Sequence, residues 1–154
     1  MVELRVGVVD VHVVRPLPDG WRVLALRRAP HVRCPGAWEV VHGSIEPGER
    51  PEDAAVREVL EETGLPTERL YNVTVHPFYL HGAGVVQLAV AFVAFVAEPG
   101  DVAVGDEHVE HAWLTLDLAL TRLFWPRERS VLRDAWELLR HGDAGPAEDV
   151  LRVR

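Results

Sequence analysis

Between Arg57 and Leu65 the chain reads REVLEETGL, which sets Glu58, Glu61 and Glu62 within one helical turn of each other. At ~100° per residue these carboxylates fall within about 100° of arc, with Ala55, Val56, Val59 and Leu60 on the other side. An acidic helix face is usually no more than a solvated face. Here, however, like charges at i,i+3 and i,i+4 repel by roughly a few tenths of a kcal/mol each. No basic residue stands one turn downstream, and Arg57, one turn before Glu61, can hold one carboxylate but not three. A hard divalent cation resolves that repulsion, because Mg²⁺ takes oxygen ligands, commonly carboxylates together with substrate phosphates. The chemistry on offer is the holding of a divalent metal ion.

A helix must carry these residues, and its signals are present. Pro51 suits the first turn, Glu52 and Asp53 complement the positive end of the dipole, and Gly64 followed by Pro66 stops it. The spacing therefore predicts a helix over 51–63. Upstream, the valine-rich run 2–14 reads as a strand, PLPDG (16–20) as a turn, WRVLALRR as a second strand and WEVVHG (38–43) as a short third. Downstream, strands are expected near 71–80, 85–97 and from Glu107. RERSVLRDAWELLRHG places Val131, Leu132, Ala135, Trp136, Leu138 and Leu139 at helical spacing, with Gly142 as the stop. Strands on both sides of a central helix imply an α/β fold, a mixed sheet with helices on its faces. One domain is expected over 1–142, with 143–154 a polar, loosely attached tail.

Bulk properties narrow the function classes. A chain of 154 residues with 48% hydrophobic and 26% charged residues is an ordinary globular domain. A net charge of −8 excludes a general binder of polymeric nucleic acid, whose affinity rests on neutralising phosphates. The apolar stretch 82–97 is too short and too β-branched to span a membrane. With Cys34 as the single cysteine and no signal-peptide pattern at the start, a cytoplasmic setting is expected.

The segment 43–65, GSIEPGERPEDAAVREVLEETGL, resembles the Nudix box, G-x5-E-x7-R-E-U-x-E-E-x-G-U. Gly43, Glu49, Arg57, Glu58, Val59, Glu61, Glu62, Gly64 and Leu65 fill every defined position without an insertion. The resemblance implies an α/β/α sandwich with a central mixed β-sheet. It also implies a Mg²⁺-dependent hydrolase, with Mn²⁺ able to substitute, acting on a nucleoside diphosphate linked to another group. Carried over by motif position, Glu58 and Glu62 are direct metal ligands and Glu61 belongs to the cluster with a further catalytic role. Glu49 extends the shell, Arg57 orients a carboxylate, and the backbone carbonyl of His42, just before the box glycine, joins the metal.

Relatives also place an acid beyond the box. Among Glu98, Asp101, Asp106, Glu107 and Glu110, the segment DEHVEHAWL is similar to the E-H-x-x-x-x-W pattern of some members and selects Glu107. The histidines of HVEH match no standard zinc spacing and read as surface residues. Arg27 and Arg28 are candidates to grip phosphate, and Trp38 could stack on a base or pack in the core. Gly43-Ser44, with the pattern of the last long helix, is similar to the dihydroneopterin triphosphate and deoxynucleoside triphosphate pyrophosphohydrolases. ADP-ribose, ADP-sugars and dinucleoside polyphosphates remain open as substrates, as does a non-catalytic nucleotide-binding module. Monomer and homodimer are equally compatible with the sequence.

Overall fold

The computed structural model describes residues 1–97 and 101–154. Among the described residues one sheet holds β1 (Glu3–Leu17), β2 (Gly20–Arg28), β3 (Trp38–Glu39), β4 (Val41–Ser44), β5 (Arg69–Leu80), β6 (Val85–Phe95) and β7 (His108–Thr115). The helices are α1 (Pro51–Thr63), α2 (Leu116–Arg122), α3 (Pro126–Leu139) and α4 (Glu148–Leu151). The sheet runs β3-β2-β1-β6-β5, with β4 on β1 and β7 on β2. β1 and β6 are parallel and the other pairings antiparallel, so the sheet is mixed as expected.

Alternation along the strands builds two cores. Val23 and Ala25 of β2, with Val93 and Phe95 of β6, pack against Leu132, Ala135 and Leu139 of α3. Leu24, Leu26, Phe92 and Ala94 point the other way, onto Ala54, Ala55 and Val59 of α1. Each fully buried Val or Leu contributes about 1.5–3 kcal/mol, and covering both faces explains the near-continuous apolar runs. The result is an α/β/α sandwich. On β1, Val9, Val11 and Val13 face α1 while Val14 faces α3. By the same period of two, Asp10 and His12 look towards α3.

Several boundaries differ from the sequence reading. β1 continues through Pro16 and Leu17, so the β1–β2 turn is only Pro18-Asp19, with Leu17 opposite Gly20. The strand expected over 38–43 is two strands with different partners: β3 pairs with β2 and β4 with β1. α2 was not foreseen; Thr115 caps it by accepting the Leu118 N–H. The tail is not loose. Val153 donates its N–H to the Leu70 carbonyl at 2.9 Å, and the Tyr71 hydroxyl donates to Glu148 at 2.8 Å. Its few apolar residues, Leu151 and Val153, pack onto the two cores, which is how a polar segment gains an anchor.

Candidate active site

α1 forms where its caps predict: Pro51 opens it and Gly64, at φ 76°, closes it with its N–H on the Leu60 carbonyl. The division of its faces needs correcting. Leu60, expected on the buried side, is 54% exposed. Glu62, expected on the outward acidic face, is largely buried because it lies only about 20° around the helix from Ala55. The helix therefore presses two of its carboxylates, Glu58 and Glu62, into the joint with β4. Gly43 makes that approach possible, since a Cβ there would overlap the Glu58 carboxylate.

Arg57 organises the remaining acids. Its Nε and Nη2 donate to the two oxygens of Glu49 at 2.9 and 2.8 Å, and Nη2 also donates to the Ser44 carbonyl at 2.9 Å. Nη1 donates to Glu58 at 2.8 Å and to Glu61 at 3.2 Å. The hydrogen bonds from Arg57, with one from the Glu46 N–H, hold the Glu49 carboxyl down at about 2. Glu58 moves the opposite way: burial raises it, and Arg57 offsets only part of that. Glu62 is pushed up to about 9 by burial and by the charges of Glu58, Glu39 and Glu107, against a backbone hydrogen bond from His42. Its Oε2 is buried with no hydrogen-bond partner.

These observations fit a divalent cation. An orphaned carboxylate oxygen, a second carboxylate cradled by Gly43 and an all-oxygen donor set are what such an ion requires. No three acidic or imidazole groups among the described residues enclose an ion unaided. A cation held by Glu58 and Glu62 would have to complete its shell with other oxygen ligands.

Glu107 lies at the turn before β7, exposed, with its carbonyl accepting the Ala29 N–H at 2.8 Å. Its charge acts on both Glu58 and Glu62. By contrast Glu110 is paired with Arg27 at 3.4 Å on the surface, and Asp101 and Asp106 are solvent-exposed. Glu98 lies outside the described residues. Of the two HVEH histidines, His111 is exposed, but His108 is buried, contrary to the surface reading. It meets Glu39 at 2.9 Å, and Arg28 donates to the same oxygen at 3.0 Å. Burial raises the Glu39 carboxyl, yet these two partners bring it below its ordinary value.

Beside this cluster opens a cleft of about 530 Å³, with Arg28, Glu39, His42, Phe78, Trp125 and Arg127 among its walls. Arg28 is thus in the cleft, while Arg27 and Trp38 are not. Trp38 packs against the α3-side core with Arg122 over its ring, 5.4 Å from the centroid. Sequence reasoning missed Trp125, Arg127, Phe78, Glu39 and Asp10. The signal for Asp10 was available: a lone acid in a valine-rich strand needs buried partners. It has them in His42 Nδ1 at 2.6 Å and Arg127 Nε at 2.8 Å. Burial pushes the Asp10 carboxyl up, but these bonds prevail and hold it well below the usual range.

Comparison with known proteins agrees with this architecture. A Myxococcus xanthus protein named octanoyltransferase is 36% identical over 129 residues, 82% of this chain and 36% of that protein. A Mycolicibacterium smegmatis protein named 8-oxo-(d)GTP phosphatase is 34% identical over 120 residues, 70% of this chain and 35% of its own length. The chain spans between 25% and 36% of the length of the curated relatives it matches first. A crystal structure of a C. elegans Ap4A hydrolase binary complex superimposes with a TM-score of 0.67 at 25% identity, covering 82% of this chain and 92% of that one. The NUDIX domain family model matches residues 7–135. That match runs from β1 into α3, across the sheet and both covering helices, and on it the chain belongs to the Nudix family.

Proposed function

We propose that this chain hydrolyses a phosphoric anhydride bond with Mg²⁺, or Mn²⁺ in its place. In this reading it converts a (deoxy)nucleoside triphosphate or dihydroneopterin triphosphate to the monophosphate and pyrophosphate. One observation carries it. Glu58 and Glu62 lack sufficient counter-charge where the helix meets β4, and a cleft large enough for a nucleoside ring opens beside them. The relatives named for 8-oxo-(d)GTP and Ap4A support a nucleotide substrate. An exposed, unbridged Cys34 supports a cytoplasmic setting.

Each residue then has a task. Glu58, Glu62 and the His42 carbonyl would hold the cation, with Glu61 and Glu49 in the same acidic cluster. A bound divalent cation neutralises phosphate oxygens and makes its water a better nucleophile. Arg57 fixes Glu58 and Glu49 in place, Glu107 takes a proton from the attacking water, and Arg28 contacts phosphate at the cleft wall. The ring enters the cleft lined by Phe78 and Trp125 rather than resting on Trp38.

Competition between deoxynucleoside triphosphates, dihydroneopterin triphosphate, ADP-ribose and a dinucleoside polyphosphate, with products resolved, tests this. A triphosphate is expected to have the highest kcat/KM. A tenfold advantage for ADP-ribose or the dinucleotide, about 1.4 kcal/mol of transition-state preference, would overturn the substrate assignment. No turnover of any would leave a nucleotide-binding module.

A further inference from the structure

The ring end of the cleft holds a charged group that the hydrolytic chemistry does not use. Arg127 stands in the first turn of α3, where Asp10 takes its Nε at 2.8 Å and its Nη2 at 3.3 Å. That engages the side edge of the guanidinium. The planar fork has a second edge, formed by its two terminal nitrogens. Nη1 has no hydrogen-bond partner among the described residues, and the side chain, 15% exposed, lines the cleft. Phe78 and Trp125 flank the group, with its Cζ 4.6 and 5.4 Å from their ring centroids. The anchor is itself fixed: Asp10 is 1% exposed and shared with His42. Arg127 cannot swing away without leaving that carboxylate short of its partner in the interior. Glu39, the carboxylate in the same wall, is held through its Oε2 by Arg28 and His108, so Arg127 supplies the cleft with a fixed donor pair beside an anchored carboxylate.

Resting on the pyrophosphohydrolase reading, we propose that Arg127 determines ring specificity. Its end edge pairs with the adjacent oxo and ring-nitrogen acceptors of a fused ring, as on the O6/N7 edge of guanine or the matching edge of a 4-oxopteridine. Arginine reads that guanine edge bidentately, and adenine sets an amino donor where the oxo acceptor should be. An 8-oxoguanine carries hydrogen on N7, so it keeps only one of the two acceptors. Because Asp10 holds the fork before any ligand arrives, little ordering is left to oppose binding.

Calorimetric titration of the full chain with GMP, AMP and 8-oxo-GMP reads the cleft without turnover, so a missing hydrolase activity and a wrong ring assignment give different results. GMP is expected to bind about tenfold or more tighter than either competitor. Arg127→Met should erase that advantage. Because it strands Asp10, Arg127→Lys serves as the second variant: it keeps the charge, lacks the fork, and should lose the preference while remaining folded by circular dichroism. The assignment is overturned if AMP or 8-oxo-GMP matches GMP, if folded Arg127→Lys keeps the wild-type ratio, or if GMP fails to bind at millimolar concentration.

Discussion

The individual carboxylates differ sharply although their side chains are chemically alike. Glu49, doubly bonded by Arg57, stays ionised; Glu62, buried with one unpartnered oxygen, resists ionisation until something positive arrives. Glu107 belongs to neither class, being exposed yet within the field of both Glu58 and Glu62. In the proposed mechanism such a group would take a proton from the attacking water. Glu107→Ala is predicted to lower kcat about 100-fold or more and to leave KM within about threefold. Steady-state kinetics on Glu107→Ala, beside Glu110→Ala and Asp101→Ala, checks this. A larger loss from either of the other two would move the role to that residue.

At the scale of elements, the decisive contact is α1 against β4. Its cost shows in pH dependence. Glu62 holds its proton up to about 9 in the folded chain and only to about 4.3 when unfolded. The folded state therefore binds more protons across that window, and stability falls as pH rises through it, by an amount on the order of a few kcal/mol near pH 8. Asp10 and Glu49 have the opposite sign, stabilising above their unfolded values and losing that only in acid. Thermal unfolding without metal should thus show a Tm that drops between pH 6 and pH 8.5, with Glu62→Gln flattening the drop. Added Mg²⁺ should raise the Tm more at pH 8.5 than at pH 6. A metal-free Tm that rises over this interval in the wild type, or an unchanged slope in Glu62→Gln, would contradict the burial argument. The helix itself was legible from Pro51, Gly64 and the spacing between them, because those signals are local. The cradling of Glu58 was not, since it depends on Gly43 of the strand that packs beside the helix, whereas the depth of Glu62 was legible in its place about 20° around the helix from Ala55.

Taken whole, the molecule is acidic but not uniformly so: a net charge of −8 coexists with a cleft walled by Arg28, Arg33 and Arg127. No helix among the described residues is long and apolar enough to cross a membrane. Family and sandwich were readable because the box is contiguous. The cleft was not, because it joins the end of β2, β3, β4, β5 and the start of α3, which meet only in the folded chain. RERSVLRDAWELL marked a helix by its apolar spacing, and nothing in that spacing tells Arg127 from Arg129, bound to the Leu123 and Phe124 carbonyls, or from the exposed Arg133. What unites the three scales is the proposal that Glu58 and Glu62 of α1 hold a cation against phosphate. Turnover of the preferred triphosphate, measured for wild type and Glu62→Gln in Mg²⁺ and in excess EDTA, tests that most directly. The account predicts that EDTA abolishes wild-type turnover and that folded Glu62→Gln loses about 100-fold or more in kcat with Mg²⁺ present. Wild-type turnover that survives EDTA, or folded Glu62→Gln within about threefold of wild type, would contradict it.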